Sequence, residues 1–217
     1  MTFGYWLLAL LCLALLILSV VLTSVSVVER TQARSLAALE PLIAQADAAS
    51  ARSAVVYFSR SGNTALAARY LANRLQAPAF RLQEQQYPLG LPGLASALKG
   101  AHVGKAVEQA LGQRSQQALD ISGFDTLYLG SPIWLYSPAP PLWQFVDNHR
   151  FDGQRIVLFN TYNSHFDARY ITELRRRVMA RGARSFEHVT VLRGRMPRQI
   201  GAPAMLATIE ERWLERD

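Results

Sequence analysis

Three hydroxyls, an amide and a glycine stand together in Ser59-Arg60-Ser61-Gly62-Asn63-Thr64. The hexapeptide follows the apolar run Ala54-Val-Val-Tyr-Phe58 and leads into an amphipathic stretch from Thr64 to Leu75. A strand-to-helix turn of this kind suits a phosphate monoester. Short hydroxyl donors converge with free backbone N–H groups, and the helix N-terminus adds about half a positive charge. Neither the Gly-x-Gly-x-x-Gly pattern of dinucleotide loops nor the Gly-Lys-Ser/Thr pattern of triphosphate loops is present. An ordinary turn with a threonine cap is the alternative reading of these six residues alone.

Two further loops carry polar and aromatic groups after apolar runs. One is Leu129-Gly-Ser-Pro-Ile-Trp-Leu-Tyr-Ser-Pro-Ala-Pro-Pro141, following Thr126-Leu-Tyr-Leu; the other is Asn160-Thr-Tyr-Asn-Ser-His165, following Arg155-Ile-Val-Leu-Phe159. Trp134 and Tyr136 could cover a planar ligand or pack against a helix. His165 could donate a proton, although a lone loop histidine is more often a surface residue. His102, His149 and His188 are scattered without metal-ligand spacing, so no metal site is expected.

With these motifs the chain resembles the flavodoxin-like superfamily, of the flavodoxin and FMN-dependent NAD(P)H–quinone reductase type, over about residues 53–195. The first loop matches the family's phosphate pattern Ser/Thr-x-Ser/Thr-Gly-x-Ser/Thr, and the second matches its Gly-x-Pro-x-Trp turn. The resemblance implies FMN as cofactor. It implies that Ser59, Ser61, Gly62, Asn63 and Thr64 hold the phosphate, and that Ser131, Pro132, Ile133, Trp134 and Tyr136 line the isoalloxazine. It places Asn160, Thr161, Tyr162 and Ser164 beside the flavin. It assigns no catalytic residue. The implied function is electron transfer through FMN from a reduced donor, with NAD(P)H a candidate, to a quinone or a membrane-associated acceptor. A flavodoxin-fold binding or assembly protein that has lost FMN is the alternative. Two features depart from the family: the chain is basic rather than acidic, and it has no separate nicotinamide-binding module.

The elements that would position these loops follow from the apolar pattern. The continuous apolar run at 54–58 reads as a buried parallel strand, with a second, weaker strand at 79–82 and further strands at 126–130, 155–159 and 186–192. Helices are expected over 64–75, from Pro140 to Val146, over 168–180 and over 203–216. The stretch 84–123 is expected to hold a loop and one or two helices. Over 168–180, Ile171, Leu174 and Val178 should be buried while the arginines face out. Alternating strands and helices imply an α/β doubly wound sheet, here five-stranded and parallel in the flavodoxin-like order 2-1-3-4-5. Ligands bind such sheets at the carboxyl ends of the strands. The expected FMN-binding domain is 53–217.

Residues 2–28 contain no charged side chain, long enough for one transmembrane helix. The run is too long and lacks the basic start of a cleaved signal peptide. Residues 29–52 read as a partly helical linker with a break near Pro41. Arg30 and Arg34 follow the span and no Lys or Arg precedes it, so the positive-inside rule puts the soluble domain on the cytoplasmic side of a single-pass membrane protein, the inner membrane if bacterial. The one cysteine, Cys12, lies in the apolar run and permits no intrachain disulfide. The formal charge is +7, and nine arginines fall between Arg169 and Arg198. That stretch is expected to face solvent or the anionic leaflet. It lacks interleaved aromatics, so no nucleic-acid partner is expected.

Overall fold

The computed structural model describes residues 2–39, 51–83, 87–90, 92–93, 95–96, 119–195 and 198–215. The expected break at Pro41 and most of the 84–123 stretch lie outside the described residues.

A helix α1 spans Thr2–Ala37 without interruption. From Gly4 it is long and apolar enough to cross a membrane, and the apolar window is entirely exposed. Residues 29–37 therefore continue the apolar segment as one helix. Then follow β1 (Ser53–Tyr57), α2 (Asn63–Arg74), β2 (Ala79–Arg81), β3 (Thr126–Trp134), β4 (Ser137–Pro138) and α3 (Pro140–Asn148). The chain continues with β5 (Arg155–Tyr162), α4 (Ala168–Ala180), β6 (Ser185–Leu192) and α5 (Ala202–Ile209). A π-helical turn, Glu210–Leu214, completes the last helix.

The sheet order is β2-β1-β3-β5-β6, every pair on that path parallel. Numbered as parallel strands alone, this is the expected 2-1-3-4-5. The addition is β4, a two-residue strand antiparallel to the end of β3.

Side chains alternate across the sheet, as the period of two requires. Ala54, Val56, Leu127, Leu129, Ile156 and Leu158 join α3 and α4 in one core through Leu142, Phe145, Leu174 and Val178. Val55, Tyr57, Val157, Phe159, Val189 and Val191 join α2 and α5 in the other, through Leu66, Leu71, Met205 and Ile209. Leu36 of α1 is buried in that second core.

Two expectations need correction. β3 does not stop at Gly130: it runs to Trp134, and Leu135-Tyr136 turn the chain back into β4. Both turn residues have positive φ, 42° and 73°, the geometry of a two-residue type I′ hairpin that asparagine and glycine usually supply. And not every α4 arginine faces out. The Arg177 side chain is only 15% exposed, paired with Asp147 at 2.6 Å and Glu173 at 3.0 Å, and its guanidinium lies over the Trp143 ring. Ile171 is half-buried, while Leu174 and Val178 are fully so.

Candidate functional site

The turn after β1 enters α2 through Gly62, whose φ of 95° belongs to the left-handed region that glycine tolerates. No side chain caps α2. Its first-turn amides, which have no acceptor within the helix, are donors for an incoming anion. Ser59 and Thr64 are buried beneath the turn. Thr64 Oγ1 lies 2.7 Å from Thr161 Oγ1 at the end of β5, so the first and third loops meet.

A cavity of about 210 Å³ opens here. It is lined by Ser59, Ser61, Asn63 and Thr64 from the first loop, by Pro132, Ile133 and Trp134 from the end of β3, and by Thr161 from β5. Eight of the fourteen expected residues thus line one cavity at the carboxyl edge of the sheet. Gly62 sits in the same turn as the entry to α2.

The other five lie elsewhere. Ser131 is fully buried below the cavity. Its hydroxyl accepts from Ala139 N at 2.8 Å and donates to Pro132 O at 2.9 Å, which pins the start of α3 to β3. Asn160 is also fully buried. Its Nδ2 donates to Ser131 O at 2.8 Å, which turns Oδ1 toward His188 Nε2 at 2.9 Å. His188 must therefore donate from Nε2, and burial pushes its pKa down to about 4. Tyr136 is exposed at the hairpin tip, its ring 4.6 Å from the His165 ring. Tyr162 stands edge-on to Phe166. Ser164 is exposed.

The aromatic wall is braced from behind. Trp134 makes edge-to-face contacts with Phe58 at 5.4 Å and with Tyr87 at 5.1 Å between ring centroids.

Sequence reasoning did not anticipate the wall formed by α1. Val25, Glu29 and Gln32 line the same cavity, as do Arg60, Asn163 and Gln199. Glu29 and Arg60 form an ion pair in which each side chain is 9% exposed; one bond, Arg60 Nη2 to Glu29 Oε2, measures 3.0 Å. The same carboxylate accepts from Gly90 N at 3.0 Å, and Arg60 also donates to Gly90 O. Desolvation lowers the Arg60 pKa, and the neighbouring Glu29 carboxylate opposes that shift. Leu36 packs over Gly62: a Cβ on that glycine would meet Leu36 Cδ1 at 3.1 Å.

Asn63 is the junction of this wall. Its Oδ1 accepts from Gln32 Nε2 at 2.9 Å and from Arg193 Nε at 3.0 Å. An arginine can only donate, so the amide oxygen must face it, and Gln32 must present its NH2 group. Asn63 Nδ2 is then the donor end left for the cavity. Arg193 is buried, and its Nη1 has no hydrogen-bond partner among the described residues. An anion cradle built of hydroxyls and amides, with a buried cation behind it, fits a phosphate group.

Strand order, two-sided helical cover and a cradle at the carboxyl edge define a flavodoxin-like α/β protein. The flavodoxin family model matches residues 52–184, and the chain belongs to that family. No curated protein matches it by sequence. Among solved structures it is similar to a protein of Bacteroides uniformis described as a flavoprotein, with 20% identity over 73% of this chain and 97% of that one, at a TM-score of 0.50. It is also similar to a flavoprotein of Lactobacillus acidophilus in complex with FMN, with 16% identity, 64% and 93% coverage and a TM-score of 0.47.

Proposed function

We propose that this protein is a membrane-anchored, FMN-binding redox protein that takes electrons from a reduced donor and passes them to a quinone or another acceptor at the bilayer. The observation that carries the reading is the contact between Thr64 and Thr161. It brings the hydroxyl-rich turn and the β5 loop to one cavity with Trp134 on its wall, as a ligand with a phosphate tail and a flat ring requires. Family membership supports the same cofactor.

When bound, FMN supplies the redox chemistry. The chain's residues bind and orient it. Ser59, Ser61, Thr64 and the first-turn amides of α2 offer donors to the phosphate. Asn63 offers its oriented NH2 group. Pro132, Ile133 and Trp134 give the apolar wall that excludes water from one side of the ring.

Anchoring is read from α1, whose apolar stretch is exposed. Four large apolar side chains outside α1 are also exposed at or beyond strand carboxyl ends: Leu135, Tyr136, Leu192 and Ile200. They share the sheet edge where α1 meets the first loop, and the exposed Arg195 and Arg198 lie within three residues of Leu192 and Ile200, respectively, along the chain. An edge of apolar and basic groups suits an anionic leaflet. We place that edge on the cytoplasmic side, because Arg30 and Arg34 follow the span. NAD(P)H is the proposed donor class.

A second reading, a flavodoxin-fold assembly protein without cofactor, draws on the Glu29 carboxylate lining the cavity. An absorption spectrum of the detergent-purified full chain separates the two. Bound flavin near one per chain supports the redox reading. A protein that stays colourless after incubation with FMN supports the second. NAD(P)H oxidation that depends on added quinone would then distinguish a reductase from a carrier.

A further inference from the structure

We propose that residues 29–37, about the last two and a half turns of α1, are part of the phosphate end of the FMN site, so that seating this helix on the domain and binding FMN strengthen one another. The inference rests on the FMN reading above, and no flavodoxin-like loop motif in the sequence points to it.

Three contacts tie α1 to the loop, each to a different residue. Glu29 pairs with Arg60 in a nearly closed environment and accepts from Gly90 N. Gln32 donates to Asn63 Oδ1. Leu36 lies on Gly62, the residue whose left-handed conformation turns the chain into α2. Together they hold the second, fourth and fifth residues of a six-residue cradle. At Asn63 the Gln32 amide adds a second donor to the oxygen that Arg193 already orients, which steadies the NH2 end toward the cavity.

A cradle held in its binding conformation before the ligand arrives loses less freedom on binding. Release of the helix would leave Asn63 held by Arg193 alone, loosen Gly62 and leave Arg60 without its carboxylate. By linkage the coupling is reciprocal: whatever factor helix seating adds to FMN affinity, FMN adds to helix seating. Gln32 acts through Asn63 and is a positioning residue. Its effect should fall on ligands that carry a phosphate.

The test uses the full chain in detergent. FMN and riboflavin are titrated by flavin fluorescence against wild type, Gln32→Ala and Leu36→Ala, with the melting of each ligand-free variant followed by circular dichroism. FMN affinity should fall on the order of tenfold in Gln32→Ala, the size of one net hydrogen bond, with riboflavin affinity unchanged. Hydrogen exchange on the wild type needs no variant, and FMN should slow it across residues 29–37. Wild-type FMN binding with unaltered affinity in both variants and unchanged exchange over 29–37 overturns the coupling and leaves the FMN reading standing. A wild-type chain that binds neither flavin overturns the FMN reading and this inference with it.

Discussion

Thr64 and Thr161 are 97 residues apart in sequence, and their hydroxyl oxygens lie 2.7 Å apart. One bond leaves each hydroxyl with further donor or acceptor capacity, so the contact sets the spacing of the loops without using up the group. Thr64→Val keeps the shape and removes the hydroxyl. A hydrogen bond to a charged group is worth about 1.5–3 kcal/mol, so FMN should bind roughly ten- to a hundredfold more weakly. Equilibrium dialysis against FMN measures this, and an unaltered affinity would remove Thr64 from the site.

His188 gives the fold a pH dependence. Its imidazole titrates near 4 in the folded chain because burial penalises the charged form, and near 6.5 when unfolded. Between those values the unfolded chain carries a proton that the folded chain lacks. Stability is therefore full above pH 6.5 and declines as the pH falls toward 4. His188→Gln can still donate to Asn160 but does not titrate. Urea melts at pH 7 and pH 5 should show a smaller loss in the variant than in the wild type.

Gly130 faces the Phe159 ring across the β3–β5 pair, and a Cβ there would overlap that ring. Phe159 is fully buried and cannot swing away. Gly130→Ala should cost about 1–3 kcal/mol, read as a lower melting temperature of the ligand-free protein.

The Glu29–Arg60 pair should respond unequally to single and double replacement. Glu29→Ala strands a buried guanidinium and should destabilise by about 3 kcal/mol, as removal of one partner of a buried pair does. The double change Glu29→Leu with Arg60→Leu should cost less than the single one. Chemical denaturation of the three chains checks this; equal losses would mean that water reaches the pair.

Leu135 and Tyr136 adopt a turn that L side chains resist. Changing them to Asn and Gly should raise the melting temperature by a few degrees. If the exposed tip also meets lipid, the same change should weaken binding of the protein's soluble edge to anionic vesicles. A gain in stability with no change in lipid contact would assign the strain to the hairpin alone.

Much of the sheet was legible because buried parallel strands are written as unbroken apolar runs, such as Val55-Val56-Tyr57 and Val157-Leu158-Phe159. The first loop was legible because its donors are contiguous. The extension of β3 was not, since Gly130 and Pro132 read as a stop. The α1 wall was hidden for another reason. Glu29, Gln32 and Leu36 meet partners about 30 residues away, and no local pattern announces a pairing at that range. Leu36 does continue an apolar stripe beyond the charged residues, the one signal that this segment buries a face. Arg193 is one of nine arginines in a basic stretch, and only its burial against Asn63 sets it apart.

The unbroken run of α1 from Thr2 to Ala37 makes the proposed anchor a post rather than a leash. From Val28, where the uncharged run ends, to Gln32, which grips the cradle, is a rise of about 6 Å. With the apolar part in a bilayer, the cradle keeps one fixed altitude above the hydrocarbon and does not sweep a radius. A soluble carrier serving the proposed reaction would have to descend to it, and any tilt of the post would turn the whole domain about the same axis.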